Sequence, residues 1–157
     1  VRTFSLSSLV DAPAHDVWQR VTSPAGINHE LMPIFRMTIP RGMKGKLIDE
    51  LPIAEPIGLS CLLLFGCVPV DFDAITIVER DDGRRFLERS TMMTFSSWEH
   101  ERTVTASEHG CDVTDRIAFQ LRPPLDRFPR VEAAAETLLR SLFAHRQRRL
   151  VRWYREM

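Results

Sequence analysis

Phe4, Leu6, Ser8 and Val10 alternate with Thr3, Ser5 and Ser7, a period-two pattern that predicts a strand with one apolar face. The pattern breaks at Asp11-Ala12-Pro13, where Asp11 or Ala12 suits a helix cap and Pro13 a first helical position. Val17, Trp18 and Val21 give the short helix that follows its apolar side. Ser23-Pro24 stops it, and Ser23 is placed to cap a second short helix reaching Leu31. Residues 33–39 predict a brief strand. Residues 40–57, with three prolines and two glycines, predict a long loop or flap.

Strand patterns then follow at 59–65, 73–80 and 84–95, the last two joined by Asp81-Asp82-Gly83, a strong hairpin signal. Residues 98–107 and 111–121 form a second predicted hairpin around His109-Gly110, and Pro123-Pro124 ends the sheet region. From 130 to 154 the chain has no Gly or Pro and is rich in Ala, Leu, Arg and Glu, which predicts one long helix. The order is strand, two small helices, many antiparallel strands, long C-terminal helix.

The chain has 157 residues, 44% apolar and 27% charged, the composition of an ordinary globular protein and the length of one domain. No repeat or linker divides residues 1–157. Its longest uncharged apolar run, from Ile57 to Val70, is interrupted by Gly58, Ser60, Gly66 and Pro69, and a transmembrane helix needs about 20 residues. The 21 basic and 21 acidic side chains cancel, which argues against nucleic acid as a partner. Cys61, Cys67 and Cys111 show no C-x-x-C spacing, so no metal is expected. The N-terminus carries no basic segment leading into an apolar stretch, and a reduced, cytoplasmic protein is the simplest reading. Oligomeric state is not legible.

Alternation assigns faces to the strands. Phe86, Glu88, Ser90, Met92 and Thr94 share one side; Trp98, His100, Arg102 and Val104 share another; Val113, Asp115, Ile117, Phe119 and Leu121 share a third. With His109-Gly110 as a two-residue turn, Arg102 and Asp115 become diagonal neighbours. The apolar faces thus carry Glu88, His100, Arg102 and Asp115, which must pair, meet water or meet a ligand. A structural ion-pair cluster, the polar lining of a cavity and a catalytic acid/base set all remain open. On the long helix, Val131, Ala135, Leu138, Leu139, Leu142, Leu150 and Trp153 fall in one arc at about 100° per residue. Arg146 falls in the middle of that arc, with Glu88 and Asp115 its expected partners. Motifs for dinucleotides, P-loops, zincins and hydrolase elbows do not occur, so no cofactor is expected. Met37, Met92 and Met93 read as core filler.

The chain resembles the START/pollen-allergen-like helix-grip superfamily (SRPBCC), which includes polyketide cyclases, lipid carriers and coenzyme Q-binding proteins. The resemblance rests on Phe4-x-Leu6 leading into Asp11-Ala12-Pro13-Ala14-His15-Asp16-Val17-Trp18, on Phe86-x-Glu88-x-Ser90, on Trp98-x-His100-x-Arg102 and Asp115, and on the helix from Leu142 to Leu150. It implies an α+β fold: a curved antiparallel sheet gripping the C-terminal helix, with a cavity between them. A small hydrophobic ligand (lipid, isoprenoid or polyketide-like) would meet Met92, Trp98, Phe119 and Leu142. Glu88, Ser90, His100, Arg102, Asp115 and Arg146 would face its polar end. The alternative is a cyclase or dehydrase, with His100 or Glu88 as base and Arg102 or Arg146 holding the developing oxyanion. Arg102 decides between them: locked bidentately to a carboxylate away from the cavity, it is lost to the enzyme reading. The Arg-rich helix as an interaction surface is a third reading.

Overall fold

A computed structural model describes residues 1–157. Seven strands form one antiparallel sheet: β1 (Arg2–Val10), β2 (Phe35–Met37), β3 (Pro56–Leu64), β4 (Val68–Asp81), β5 (Arg85–Met92), β6 (Phe95–Ser107) and β7 (Gly110–Leu121). Their spatial order is β1-β7-β6-β5-β4-β3-β2, so the first strand closes against the last and the rest run as a meander. Helices α1 (Ala14–Val21) and α2 (Pro24–Leu31) connect β1 to β2, and α3 (Pro129–Arg155) lies in the grip of the curled sheet. This is the expected α+β helix-grip architecture.

Local chemistry accounts for the element ends. Pro13 precedes α1 in extended conformation rather than opening it. Ser23 caps α2 as expected, its Oγ accepting from the Gly26 amide at 3.0 Å. Two expectations need correction. Residues 84–95 are not one strand, because the buried Asp71 carboxylate accepts the amides of Met93 at 2.6 Å and Thr94 at 3.2 Å. Those bonds turn the chain, leave Met93 exposed rather than in the core, and pass Phe95 to β6. The β6–β7 turn is Glu108-His109, with Ser107 opposite Gly110, so Arg102 faces Asp115 directly rather than diagonally. Gly110 is a strand residue at φ 140°, and a Cβ there would sit 2.1 Å from the Val10 carbonyl oxygen. Its backbone hugs the end of β1, which moves the turn one residue upstream.

Residues 40–57, expected as a long loop or flap, are a loop as far as Pro56, where β3 begins, but one packed into the core. They contain two short 3₁₀ turns (Arg41–Met43, Ile48–Glu50) and bury Met43, Ile48 and Leu51 in the main core. Fully burying such side chains is worth about 2 kcal/mol each. Trp18 Nε1 donates to Asp49 at 2.8 Å, and Arg80 donates to the carbonyls of Ile48 and Leu51 at 3.1 and 2.6 Å. These bonds satisfy the indole N–H, one Asp49 oxygen and two carbonyls that the packing would otherwise strand, and leave Asp49 Oδ1 buried without a partner.

The interior divides into two apolar clusters. One surrounds Trp18, Ile75, Ile77, Phe86 and Leu150. The other surrounds Phe4, Trp98, Ile117, Phe119 and Phe143. The helix presents a different seam from the expected arc. Phe143, Arg146, Gln147 and Leu150 are its buried residues, with Ala135 and Leu139 packed behind them, while Leu138 is 72% exposed. Gln147 explains the rotation. Its amide donates to the Leu6 carbonyl and to Asp115, both at 3.0 Å, and its oxygen accepts from Ser8 at 2.7 Å. A polar side chain therefore occupies a core position by satisfying every group it meets.

Candidate functional site

Between the sheet and α3 lies a cavity of about 670 Å³, with 21 hydrophobic residues among the 33 that line it. One wall is the concave face of β4, β5 and β6, including Ile75, Phe86 and Trp98; the opposite wall is the Leu138–Leu142–Arg146 face of α3. Both clusters border it, through Phe86 and Phe143. Exposed Leu138 and Val70 stand on its rim and mark its mouth.

The sheet wall carries two acids on adjacent strands. Asp73 on β4 and Glu88 on β5 both line the cavity, and alternation of β4 turns Asp73 inward beside Ile75 and Ile77. Ser90 donates to Glu88 Oε1 at 2.9 Å, and His100 Nδ1 lies 3.9 Å from Glu88 Oε2. Burial alone would raise the Glu88 carboxyl; the neighbouring His100, Ser90 and Asp73 outweigh it and hold Glu88 below its usual range. Asp73 goes the other way, to about 8, because it is buried and faces the Glu88 charge. Two carboxyls that share a site cannot both ionise cheaply. At neutral pH the pair is therefore one acid and one carboxylate.

Behind this wall runs a buried ion network. Arg102, with no exposed surface, donates through Nε and Nη2 to the two Asp115 oxygens at 2.7 and 2.8 Å, and through Nη1 to both Glu30 oxygens at 2.7 and 2.9 Å. Burial disfavours each of these charges, and the contacts win: Arg102 is raised and Asp115 held well below the carboxylate range. His100 Nε2 donates to Asp115 at 2.7 Å, since an ionised carboxylate only accepts. His100 thus links the network to Glu88 and the cavity.

Arg146 points inward and is 7% exposed. Its expected partners were Glu88 and Asp115, yet the carboxylate beside it is Glu30 on α2, 3.5 Å from Nη2. It makes no hydrogen bond, its Nε is buried without an acceptor, and its guanidinium lies 4.9 Å from the Phe143 ring centre.

Of the expected site residues, Glu88, Met92, Trp98, His100, Leu142 and Arg146 line the cavity. Ser90, Arg102, Asp115 and Phe119 do not. Ser90 stands behind Glu88, Arg102 and Asp115 neutralise each other in the sheet, and Phe119 packs against Phe95. Sequence reasoning missed Glu30, Asp73 and Phe143. Glu30 carried a signal, because it falls three residues after Ile27 and beside Leu31 on the apolar side of α2. Asp73 carried little, because Phe72 and Ala74 make the other face of β4 equally apolar. No three His, Cys, Asp or Glu side chains converge as a metal-binding group. No helix is long and apolar enough to cross a membrane.

The architecture is a START-like helix-grip fold. The chain belongs to the family described as Domain of unknown function (DUF8410), whose model matches residues 8–154. Similar solved structures include protein CV1439 from Chromobacterium violaceum, at 14% identity and TM-score 0.70 over 98% of both chains. A START superfamily protein from Mycobacterium smegmatis superposes at 14% identity and TM-score 0.66, over 98% of this chain and 97% of that one. DynU16, a protein of the dynemicin biosynthetic locus, gives 16% identity and TM-score 0.61, over 98% of this chain and 47% of its own. At these identities the likeness is one of fold. No curated protein matches the chain.

Proposed function

We propose that this protein binds a small hydrophobic or amphipathic molecule, of lipid, isoprenoid or polyketide-like kind, in the cavity between the sheet and α3. The observation that carries this reading is the cavity of about 670 Å³ with its mainly apolar lining, which falls within the ~300–1,000 Å³ range of small-molecule sites. Met92, Trp98 and Leu142 meet the body of the ligand, and Glu88, His100 and Arg146 its polar end. Residues 1–157 act as one binding domain, working in the cytoplasm. Native mass spectrometry of protein purified from its own host tests this. An adduct of small-molecule mass, lost on denaturation, is expected. A bare polypeptide mass, together with failure to take up any apolar fluorophore, overturns it.

A cyclase or dehydrase reading draws on the Asp73–Glu88 acid/carboxylate pair beside His100, a source and acceptor of protons at one wall. Against it, Arg102 is locked to Asp115 and Glu30, which leaves Arg146 as the buried guanidinium that reaches the cavity, with Arg148 exposed at its edge. Binding without turnover is the reading favoured.

A further inference from the structure

The two polar walls of the cavity are unsatisfied in opposite senses. On the helix side, Arg146 is 93% buried and brings up to five N–H donors, none of which has a hydrogen-bond acceptor within the chain. Its charged neighbour Glu30 is 3.5 Å away and already holds two bonds from Arg102. On the sheet side, Ser90 donates to Glu88 Oε1 and the protonated Asp73 lies beside it, but His100 Nδ1 stays 3.9 Å from Oε2 and no Arg or Lys pairs with either acid, so the Glu88 carboxylate keeps room to accept. Asp73, 6% exposed, has one oxygen buried without a donor. The cavity therefore has spare donors on one wall and a spare acceptor on the other.

Charge restricts what can answer them. In the buried network Glu30 and Asp115 already balance Arg102 and Arg146, two negative groups against two positive, while Arg148, which also lines the cavity, is exposed to solvent at its edge. A ligand carboxylate at Arg146 would add an uncompensated buried charge, and one at Glu88 would face a like charge. An uncharged oxygen accepts from Arg146 without that cost. Resting on ligand binding in this cavity, we propose that the occupant is an uncharged amphipathic molecule bearing two polar groups of opposite sense, a carbonyl-type oxygen that accepts from Arg146 and a hydroxyl that donates to Glu88.

Competition against a neutral fluorophore, N-phenyl-1-naphthylamine, tests the proposal at pH 7 with flexible probes of one chain length: 2-decanone, 1-decanol, 10-hydroxydecan-2-one and decanoate. The hydroxy ketone is expected to displace the dye at about tenfold lower concentration than decanoate, the scale of one hydrogen bond to a charged group. Arg146→Met should weaken 2-decanone and spare 1-decanol; Glu88→Gln should do the reverse. Dye binding by each variant reports that it is folded, and should one fail to fold, the wild-type order of the four probes decides. Decanoate competing as well as the hydroxy ketone, or both variants leaving the order unchanged, overturns the proposal while ligand binding stands. Failure of the wild-type protein to bind dye or any probe overturns ligand binding itself.

Discussion

Arg102 and Arg146 are both buried arginines near Glu30, and their geometry separates what each does for stability. Arg102 spends its guanidinium on four hydrogen bonds to two carboxylates. Arg102→Met strands both acids, and removing one partner of such a set costs about 3–5 kcal/mol. Arg146 makes one 3.5 Å contact, and Glu30 keeps its bonds from Arg102 without it. Arg146→Met leaves the network one positive charge short but removes a guanidinium that makes no hydrogen bond, so its loss of unfolding free energy should be clearly smaller than that of Arg102→Met; urea unfolding of both variants checks the contrast, and equal losses would refute it. Asp73 makes stability depend on pH. Its folded-state value, about 8, lies above the ordinary carboxyl value of 3.8, so the folded protein holds a proton that the unfolded chain releases between those limits. Its favourable contribution is complete below about pH 4 and is lost as pH rises through about 8. Asp73→Asn should gain on the wild type over that window, by a few kcal/mol at most, and parallel unfolding curves at pH 5 and pH 9 would count against the acid pair. The sequence did display Glu88, His100, Arg102 and Asp115 as polar residues on apolar faces. It could not display which of them neutralise one another, because Glu30 reaches the cluster from a helix 72 residues away in sequence.

At the scale of elements, the legible features were those written in periodicity. The meander and long helix follow from alternation and from the absence of Gly and Pro, whereas the breaks and registers depend on single long-range contacts. Nothing local to residues 84–95 announces a turn; Asp71, 22 positions before Met93, makes it by accepting backbone amides. Likewise His109-Gly110 reads as a turn until the Val10 carbonyl is seen against Gly110. Gly110→Ala tests that contact. A Cβ at 2.1 Å from backbone oxygen cannot be relieved by a rotamer, and φ 140° is itself a strained setting for alanine. The variant should lose about 3 kcal/mol or more. Backbone hydrogen exchange should rise first in β1 and at the start of β7, whose pairing ends at Val10 and Cys111. Exchange rising uniformly across the sheet would mean that Gly110 does not serve the β1 edge. The helix seam was misread for the same reason. Gln147 sits in the core because β1 and Asp115 satisfy it, a fact absent from the helix's own pattern.

For the molecule as a whole, the helix-grip plan leaves the two apolar clusters meeting around open space rather than fusing into one core. Packed interiors contain few voids larger than a water, and this one has about 670 Å³. Leaving it unfilled forgoes the contacts that a continuous core would make. A molecule that fills it and binds only the folded chain adds stability as RT ln(1 + [L]/Kd), about 2.7 kcal/mol at a hundredfold excess over Kd. Leu142 gives access to this balance without touching the ion network. It is half-buried on α3, one turn before Arg146, and its side chain borders the cavity. Leu142→Trp puts indole into space that the wild type leaves open, so the substituted side chain gains burial in place of the ligand. Unfolding stability without ligand should stay within about 1 kcal/mol of the wild type or rise, while affinity for an apolar dye should fall by about tenfold or more. A variant that loses stability and keeps dye affinity would place Leu142 in tight packing and the dye elsewhere. The opposite pairing, stability kept and binding lost, is what a ligand cavity under α3 requires.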